Sequence, residues 1–351
     1  MSSQLPVGTL RDRDDDPPAY LRAERFNRHT FWCGQSGSGK TYALGVVLEQ
    51  LLIHTELPMI ILDPNGDFVR LKEIRDDADE ASAAVLRRQD IRILRSGDGN
   101  HGSDGRLHVR WLDLDLPSKA AVLRLDPLQD AEEYNALLHV LDSLEQSNII
   151  GLVKALTTEG DPALERLRKR IENLELLDWD LWAMGGRGAE AVVQERPRAT
   201  VIDLGGFRFA AEPRVAALAL LDHLWHHREE RRPILIVIDE AHNLCSPDPV
   251  TPIQRVLTER IIQIAAEGRK YGLWLLLSTQ RPSKIHPNVL SQCDNLGLMK
   301  MSAPRDLAEL AEYFGYAPPD LLAQSPRSAR ARCSSPAGSS RRPRSPGSVQ
   351  D

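Results

Sequence analysis

The chain has 351 residues, of which 42% are hydrophobic and 27% charged, with a formal net charge of −6. That length suits one large domain or two modest ones, and the composition is globular rather than fibrous or disordered. The acidic balance excludes a broadly basic nucleic-acid binder, so any DNA contact has to be a local basic patch or a pore lining.

Residues 1–22 are polar and carry Pro17-Pro18, which predicts a loose N-terminal arm. Arg11 to Asp16 are all charged, so the arm has no signal-peptide core. No apolar run approaches the roughly 18 residues of a membrane span. The four cysteines, Cys33, Cys245, Cys293 and Cys333, lack metal-ligand spacing and read as reduced thiols. These features together point to the cytoplasm.

The core begins near Phe26, and residues 23–117 read as its first part. Thr30-Phe31-Trp32-Cys33 is β-prone, and Tyr42 to Leu52 reads as an amphipathic helix. Between them Gly34-Gln35-Ser36-Gly37-Ser38-Gly39-Lys40-Thr41 fits G-x-x-x-x-G-K-[ST] at every fixed position. Strand, glycine loop and helix in that order make a phosphate site. Glycines let backbone N–H groups converge on phosphate oxygens, and the helix N-terminus adds its positive end. Lys40 is the point charge for β- and γ-phosphates, and Thr41 offers a hydroxyl to Mg²⁺. The nucleotide-binding residues are thus Gly34 through Thr41, with Tyr42 following.

Pro58 to Asp63 is an apolar strand ending in an acid, followed by a sharp turn at Pro64-Asn65-Gly66-Asp67-Phe68. Ile91 to Leu94 is a short strand, and Gly97 to Gly105 a loop rich in Gly, Asp and Asn. Residues 118–196 change character, with helical spacing at Ala131 to Leu144 and Pro162 to Leu177. A helical insertion and a set of connecting core helices are level readings here, because no linker marks the junction. Residues 197–327 form the second part of the core. Thr200 to Asp203, Ile234 to Asp239 and Leu273 to Leu277 are continuous apolar strands that fit a parallel sheet with both faces covered. Helices over 212–229 and 252–271 supply covers, and a last strand at Leu296 to Met299 precedes a helix at Arg305 to Phe314.

The strand Ile234 to Asp239 delivers Asp239 to the carboxyl edge of the sheet, where ligands of open α/β sheets sit. There Asp239 would hold Mg²⁺, and Glu240 would polarise an attacking water. Ser278-Thr279-Gln280-Arg281 ends the neighbouring strand, placed either to sense the γ-phosphate or simply as a polar loop. Arg269 reads equally as an arginine finger given in trans or as a cation at a helix C-terminus. Arg28, before the glycine-loop strand, reads on its own as a solvated strand-edge cation.

In chain order GQSGSGKT, DPNGDF, VIDEAHN, EGRKYG and STQRPSKIHPNVLSQCDN resemble the motifs of the HerA branch of the HerA/FtsK ATPases, over about residues 26–327. The resemblance implies an α/β, RecA-like P-loop NTPase fold with a mainly parallel sheet and a helical insertion. It implies ATP and Mg²⁺ as cofactors, and a homo-hexameric ring that pumps or unwinds double-stranded DNA in DNA processing or defence. By position, Lys40 and Thr41 bind nucleotide and Mg²⁺, Asp63 is the acid after the second strand and a metal ligand, Asp239 holds metal, Glu240 is catalytic and Gln280 is the sensor. Arg269 and Arg28 match arginines near the subunit interface. Lys284 with His286 is the DNA-contact candidate, and a nuclease or defence effector the expected partner. Two other functions fit the same motifs: a secretion or conjugation ATPase moving protein or single-stranded DNA, and a nucleotide-gated ring scaffold for a nuclease.

Two departures stand out. The glycine loop arrives by residue 34, so the N-terminal β-barrel usual in HerA translocases is expected to be absent. From Ser328 the text turns to Arg, Ser, Pro and Gly, a basic tail over 328–351 with the low apolar content of disorder. Back-translated with GC-rich codons and shifted by one base, it reads as a glycine turn leading into a Val/Leu/Ile strand. The expectation is a frameshifted or truncated tail.

Overall fold

The computed structural model describes residues 4–10, 17–97, 103–143, 149–156 and 161–327. Its strands, in chain order, are β1 (Gln4–Thr9), β2 (Pro18–Arg22), β3 (Thr30–Cys33), β4 (Met59–Asp63), β5 (Ile91–Arg95), β6 (Gly105–Arg106), β7 (Ala199–Asp203), β8 (Ile234–Ile238), β9 (Leu273–Thr279) and β10 (Asn295–Leu298).

Eight of these form one sheet in the order β10-β3-β9-β8-β4-β7-β5-β6, every pair parallel. β4, β7 and β8 are buried at every position, which is why Met59 to Leu62, Val201-Ile202 and Ile234 to Ile238 run apolar without alternation. Successive side chains still point to opposite faces. Ile60, Leu62, Ile236 and Ile238 join one core, and Met59, Ile61, Leu235 and Val237 the other. The second core is closed by the helix Lys40–His54 through Leu44, Leu48 and Leu51. The first is closed by the helices Glu212–His226 and Pro252–Glu267. The fold is the α/β parallel-sheet architecture expected of a P-loop NTPase.

The N-terminal arm is a correction. β1 and β2 pair antiparallel, and Leu5 is fully buried in the same cluster as Leu44 and Leu48 of the glycine-loop helix. Leu5, Val7 and Leu21 supply one apolar face of the hairpin. The mean polarity of residues 1–22 hides that short alternation, and alternation rather than composition decides a strand.

The described residues of 118–196 pack onto the sheet's own core. Leu137, Leu167, Ile171, Trp179 and Trp182 belong to the same cluster as Ile236 and Ile238 of the sheet. Trp182 stacks on Trp179 at 5.6 Å and meets Trp111 edge-on at 5.5 Å. Arg260 of the cover helix donates to Asp222 at 2.6 Å and Asp115 at 2.7 Å, and Ser118 donates to Asp222 at 2.6 Å. β6 was not foreseen in the Gly/Asp/Asn loop. The basic tail, with its frameshift reading, lies outside the described residues.

Candidate active site

β3 runs into the glycine loop at the carboxyl edge of the sheet, beside the ends of β9 and β10. Gly37 and Gly39 have φ of 74° and 85°, values that cost other residues a Cβ clash. Gly34 is fixed by close approach instead: a Cβ there would fall 2.5 Å from Met299 Cβ and 2.7 Å from Ser38 Oγ. The loop is pinned to the sheet edge, with Gln35 N donating to Lys300 O at 2.8 Å and Gly34 N to Thr279 O at 3.3 Å. The helix then starts at Lys40, so Lys40, Thr41 and Tyr42 form its first turn.

Lys40 is the hub. Its Nζ donates to Ser278 Oγ at 2.8 Å and Asp239 Oδ1 at 3.0 Å, and lies 3.3 Å from Glu240 Oε1. Ser278 Oγ donates to Asp239 Oδ1 at 2.7 Å. Lys40, Asp239, Glu240 and Ser278 are all buried. A lysine and two carboxylates removed from water are tolerable only as a hydrogen-bonded set.

Glu240 sits in the left-handed region, at φ 43° and ψ 49°. For a residue with a Cβ this costs of order 1–3 kcal/mol, and surrounding contacts must hold it. Gln280 Nε2 donates to Glu240 Oε1 at 3.1 Å. His242 Nδ1 lies 3.3 Å from Glu240 Oε2 and 3.0 Å from Thr279 Oγ1. Burial opposes ionisation of Glu240, but the nearby His242 ring and the Lys40 charge outweigh it and hold the carboxyl down at about 2. It is therefore ionised at neutral pH.

The residues fit a Mg-nucleotide. Asp239 Oδ2 and Ser38 Oγ are buried polar atoms without a hydrogen-bond partner, next to a glycine cradle and a buried cation. Such orphans are uncommon without a ligand to satisfy them.

Asp63, expected as a metal ligand, also folds the turn after β4. Its Oδ1 accepts from Asn65 N at 3.3 Å and Asp67 N at 3.0 Å, and its Oδ2 from Phe68 N at 2.7 Å. Both oxygens are committed to folding the turn after β4. Burial pushes this carboxyl up to about 7, against the pull of those N–H groups.

Arg28 and Arg269 lie at the amino edge of the sheet, before β3 and β9, whereas the glycine loop and Asp239 follow the carboxyl ends of β3 and β8. The two arginines are exposed and share one partner, Asp294, with Arg269 Nη1 hydrogen-bonded to it and Arg28 Nη1 at 4.0 Å.

Comparison with known proteins places this geometry. The family description "Helicase HerA, central domain" matches residues 5–207, more than half of the chain. A DNA double-strand break repair helicase HerA of Sulfolobus acidocaldarius is 43% identical over 320 residues, covering 82% of this chain and 57% of that protein.

The chain belongs to the HerA family.

A second HerA, from Saccharolobus solfataricus, is 36% identical over 355 residues, covering 92% of the chain and 63% of its own length. The chain thus spans about three fifths of these curated HerA relatives. Among solved structures, VirB4 of Thermoanaerobacter pseudethanolicus superposes with a TM-score of 0.59 at 14% identity, covering 93% of this chain and 92% of that one. At that identity the likeness is one of fold.

Of the residues singled out from sequence, the structure gathers Ser38, Lys40, Asp239, Glu240 and Gln280 at one edge and sets Arg28 and Arg269 at the other. His242 was missed. It stands within the quoted VIDEAHN stretch, but only the left-handed bend at Glu240 brings it back against the carboxylate, and no spacing rule for regular elements reports that bend.

Proposed function

We propose that this HerA-type ATPase hydrolyses Mg-ATP as a homo-hexameric ring and uses the energy to translocate or unwind double-stranded DNA in the cytoplasm. The observation that carries the catalytic part is the convergence of Lys40, Asp239, Ser278 and Glu240 within 2.7–3.3 Å, beside the glycine loop. Backbone N–H groups of Gly37 to Lys40 would cradle the phosphates. Thr41 and Asp239 would hold Mg²⁺, which neutralises phosphate charge when bound. Lys40, paired with the acids in the present arrangement, would turn to the β- and γ-phosphate oxygens. Glu240, ionised and gripped by Gln280 and His242, orients the attacking water and accepts its proton. Gln280 links the loss of the γ-phosphate to β9. Asp63 shapes the adjoining turn through its carboxylate.

The position of the arginines supports a ring. β3 and β9 are 4 and 7 residues long, and at about 3.3 Å per residue this puts Arg28 and Arg269 well over about 10 Å from the phosphates of their own chain. Neither reaches its own chain's nucleotide, and in the ring each would face a neighbour's. For DNA, His286 Nδ1 accepts from Asn288 N at 3.2 Å as a helix cap, which leaves exposed Lys284 and the nearby Arg281 as the contact candidates. No helix among the described residues is long and apolar enough to cross a membrane. A nuclease or defence effector is the proposed partner, as the HerA relatives above are named for double-strand break repair.

The test is steady-state ATP hydrolysis with and without linear duplex DNA, at rising salt. Stimulation that fades steeply with salt is expected, since phosphate contacts release counterions. Hydrolysis indifferent to duplex DNA at every salt concentration would remove the DNA pump and favour a protein-moving or scaffold role.

A further inference from the structure

Three neighbouring strands each bring one charged residue to the amino edge of the sheet. Asp294 precedes β10, Arg28 precedes β3, and Arg269 lies in the turn before β9. The two arginines come from elements far apart in sequence, yet both address the same oxygen, Asp294 Oδ2. Asp294 itself is fixed through its backbone. Its N–H donates to His29 O at 2.9 Å, and the next residue holds that strand start with Asn295 N to His29 O at 3.2 Å and Asn295 Nδ2 to Arg25 O at 2.8 Å.

From this geometry we infer that Asp294 is a positioning residue, an anchored carboxylate that aims Arg269, and more loosely Arg28, at an anionic group on a second copy of the chain. The inference rests on the trans role given to these arginines above and adds the group that orients them. The stability of an exposed ion pair does not explain the arrangement, since such pairs contribute little. Its geometry explains more. Arg269 is bound through Nη1 alone, and Nε and Nη2 make no bond to this carboxylate, so the guanidinium keeps donors for a forked contact with phosphate. One anchored contact removes much of the rotamer freedom of a long exposed side chain without consuming its recognition edge. The cluster holds two cations and one anion, so a net positive charge faces outward, as a phosphoryl group requires. Lys270 and Glu267, adjacent to Arg269, pair with each other at 3.2 Å and add no net charge.

Asp294→Asn removes the charge and keeps the shape. In the full chain under saturating Mg-ATP it should lower kcat by about tenfold, within the up to about 10²-fold that misplacing a group from outside the chemistry can cost, while KM for ATP and Tm stay unchanged. Asp294→Glu, which restores the carboxylate, should recover part of the rate. Arg269→Ala is measured alongside. Wild-type kcat in Asp294→Asn, with Arg269→Ala strongly impaired, would overturn the positioning role and leave the trans arginine standing. Wild-type kcat in Arg269→Ala would overturn both. A fall in kcat accompanied by a matching fall in Tm would mean that Asp294 is structural, and would overturn the inference as well.

Discussion

The two edges of one sheet carry charge in opposite ways. At the carboxyl edge Lys40, Asp239, Ser278 and Glu240 are buried and bonded to one another. At the amino edge Arg28, Arg269 and Asp294 are between 37% and 47% exposed and joined by a single oxygen. Buried charges have to be mutually complete, because each lost partner leaves an uncompensated ion out of water. Exposed charges tolerate incompleteness, because water fills the gaps. The contrast separates a site whose parts lie within one chain from one that, in the proposed ring, would be completed by another molecule.

The sharpest way to break the comparison is Lys40→Ala. It strips the buried lysine from the carboxylate pair, so hydrolysis should disappear. The fold should also lose about 3–5 kcal/mol in denaturant unfolding, the cost typical of breaking a buried pair. Lys40→Ala protein with unfolding midpoints equal to wild type would mean that the carboxyl edge is not the interlocked unit described.

Glu240→Gln is next. It keeps the hydrogen bond from Gln280 and removes the charge that orients water, so turnover should fall by about 10²–10⁴ while nucleotide binding persists. Retained turnover at saturating Mg-ATP would reassign the base.

His242→Ala should have a smaller effect, read in pH dependence. The Glu240 carboxyl is depressed from 4.5 to about 2. A depressed folded value contributes stability that is present above the unfolded value and lost as pH falls through the folded one. Removing the His242 ring leaves burial less opposed, so the folded value rises. The acid limb of the kcat profile should move to higher pH, and acid unfolding should begin earlier. Coincident profiles for His242→Ala and wild type would show that Lys40 alone sets the Glu240 charge.

Much of the carboxyl edge was legible in the sequence, because its chemistry is local. A glycine loop between strand and helix, and an apolar strand ending in Asp239-Glu240, each sit within about ten residues. The parallel sheet was legible for a related reason: β8 is apolar throughout and β4 apolar up to its closing acid, runs without alternation that double-sided burial explains. What escaped depends on long-range packing or on irregular backbone. The β1–β2 hairpin is held by Leu5 against a helix some forty residues on. His242 depends on one left-handed residue. Asp63 looked like a metal acid because its position resembles one, yet its oxygens close the turn that follows it. The Asp294 cluster joins three strand starts that only the order β10-β3-β9 makes neighbours.

The smallest effect is expected from Arg28→Ala, and it tests the amino edge from the side of stability. Arg28 lies 4.0 Å from Asp294, at the limit of an ion pair, with 47% of its side chain exposed. Solvent screening there leaves about 0–1 kcal/mol for the pair, and the neighbouring Arg269 continues to neutralise Asp294. Unfolding midpoints of Arg28→Ala should therefore match wild type within about 1 kcal/mol, at low and high salt alike. Any defect should show only as slower hydrolysis in the assembled protein, and mixing with Glu240→Gln subunits should restore part of the rate, because some interfaces then carry both intact groups. A loss of several kcal/mol in the isolated chain would make Arg28 a structural residue and would bring the two edges closer in character than their burial indicates.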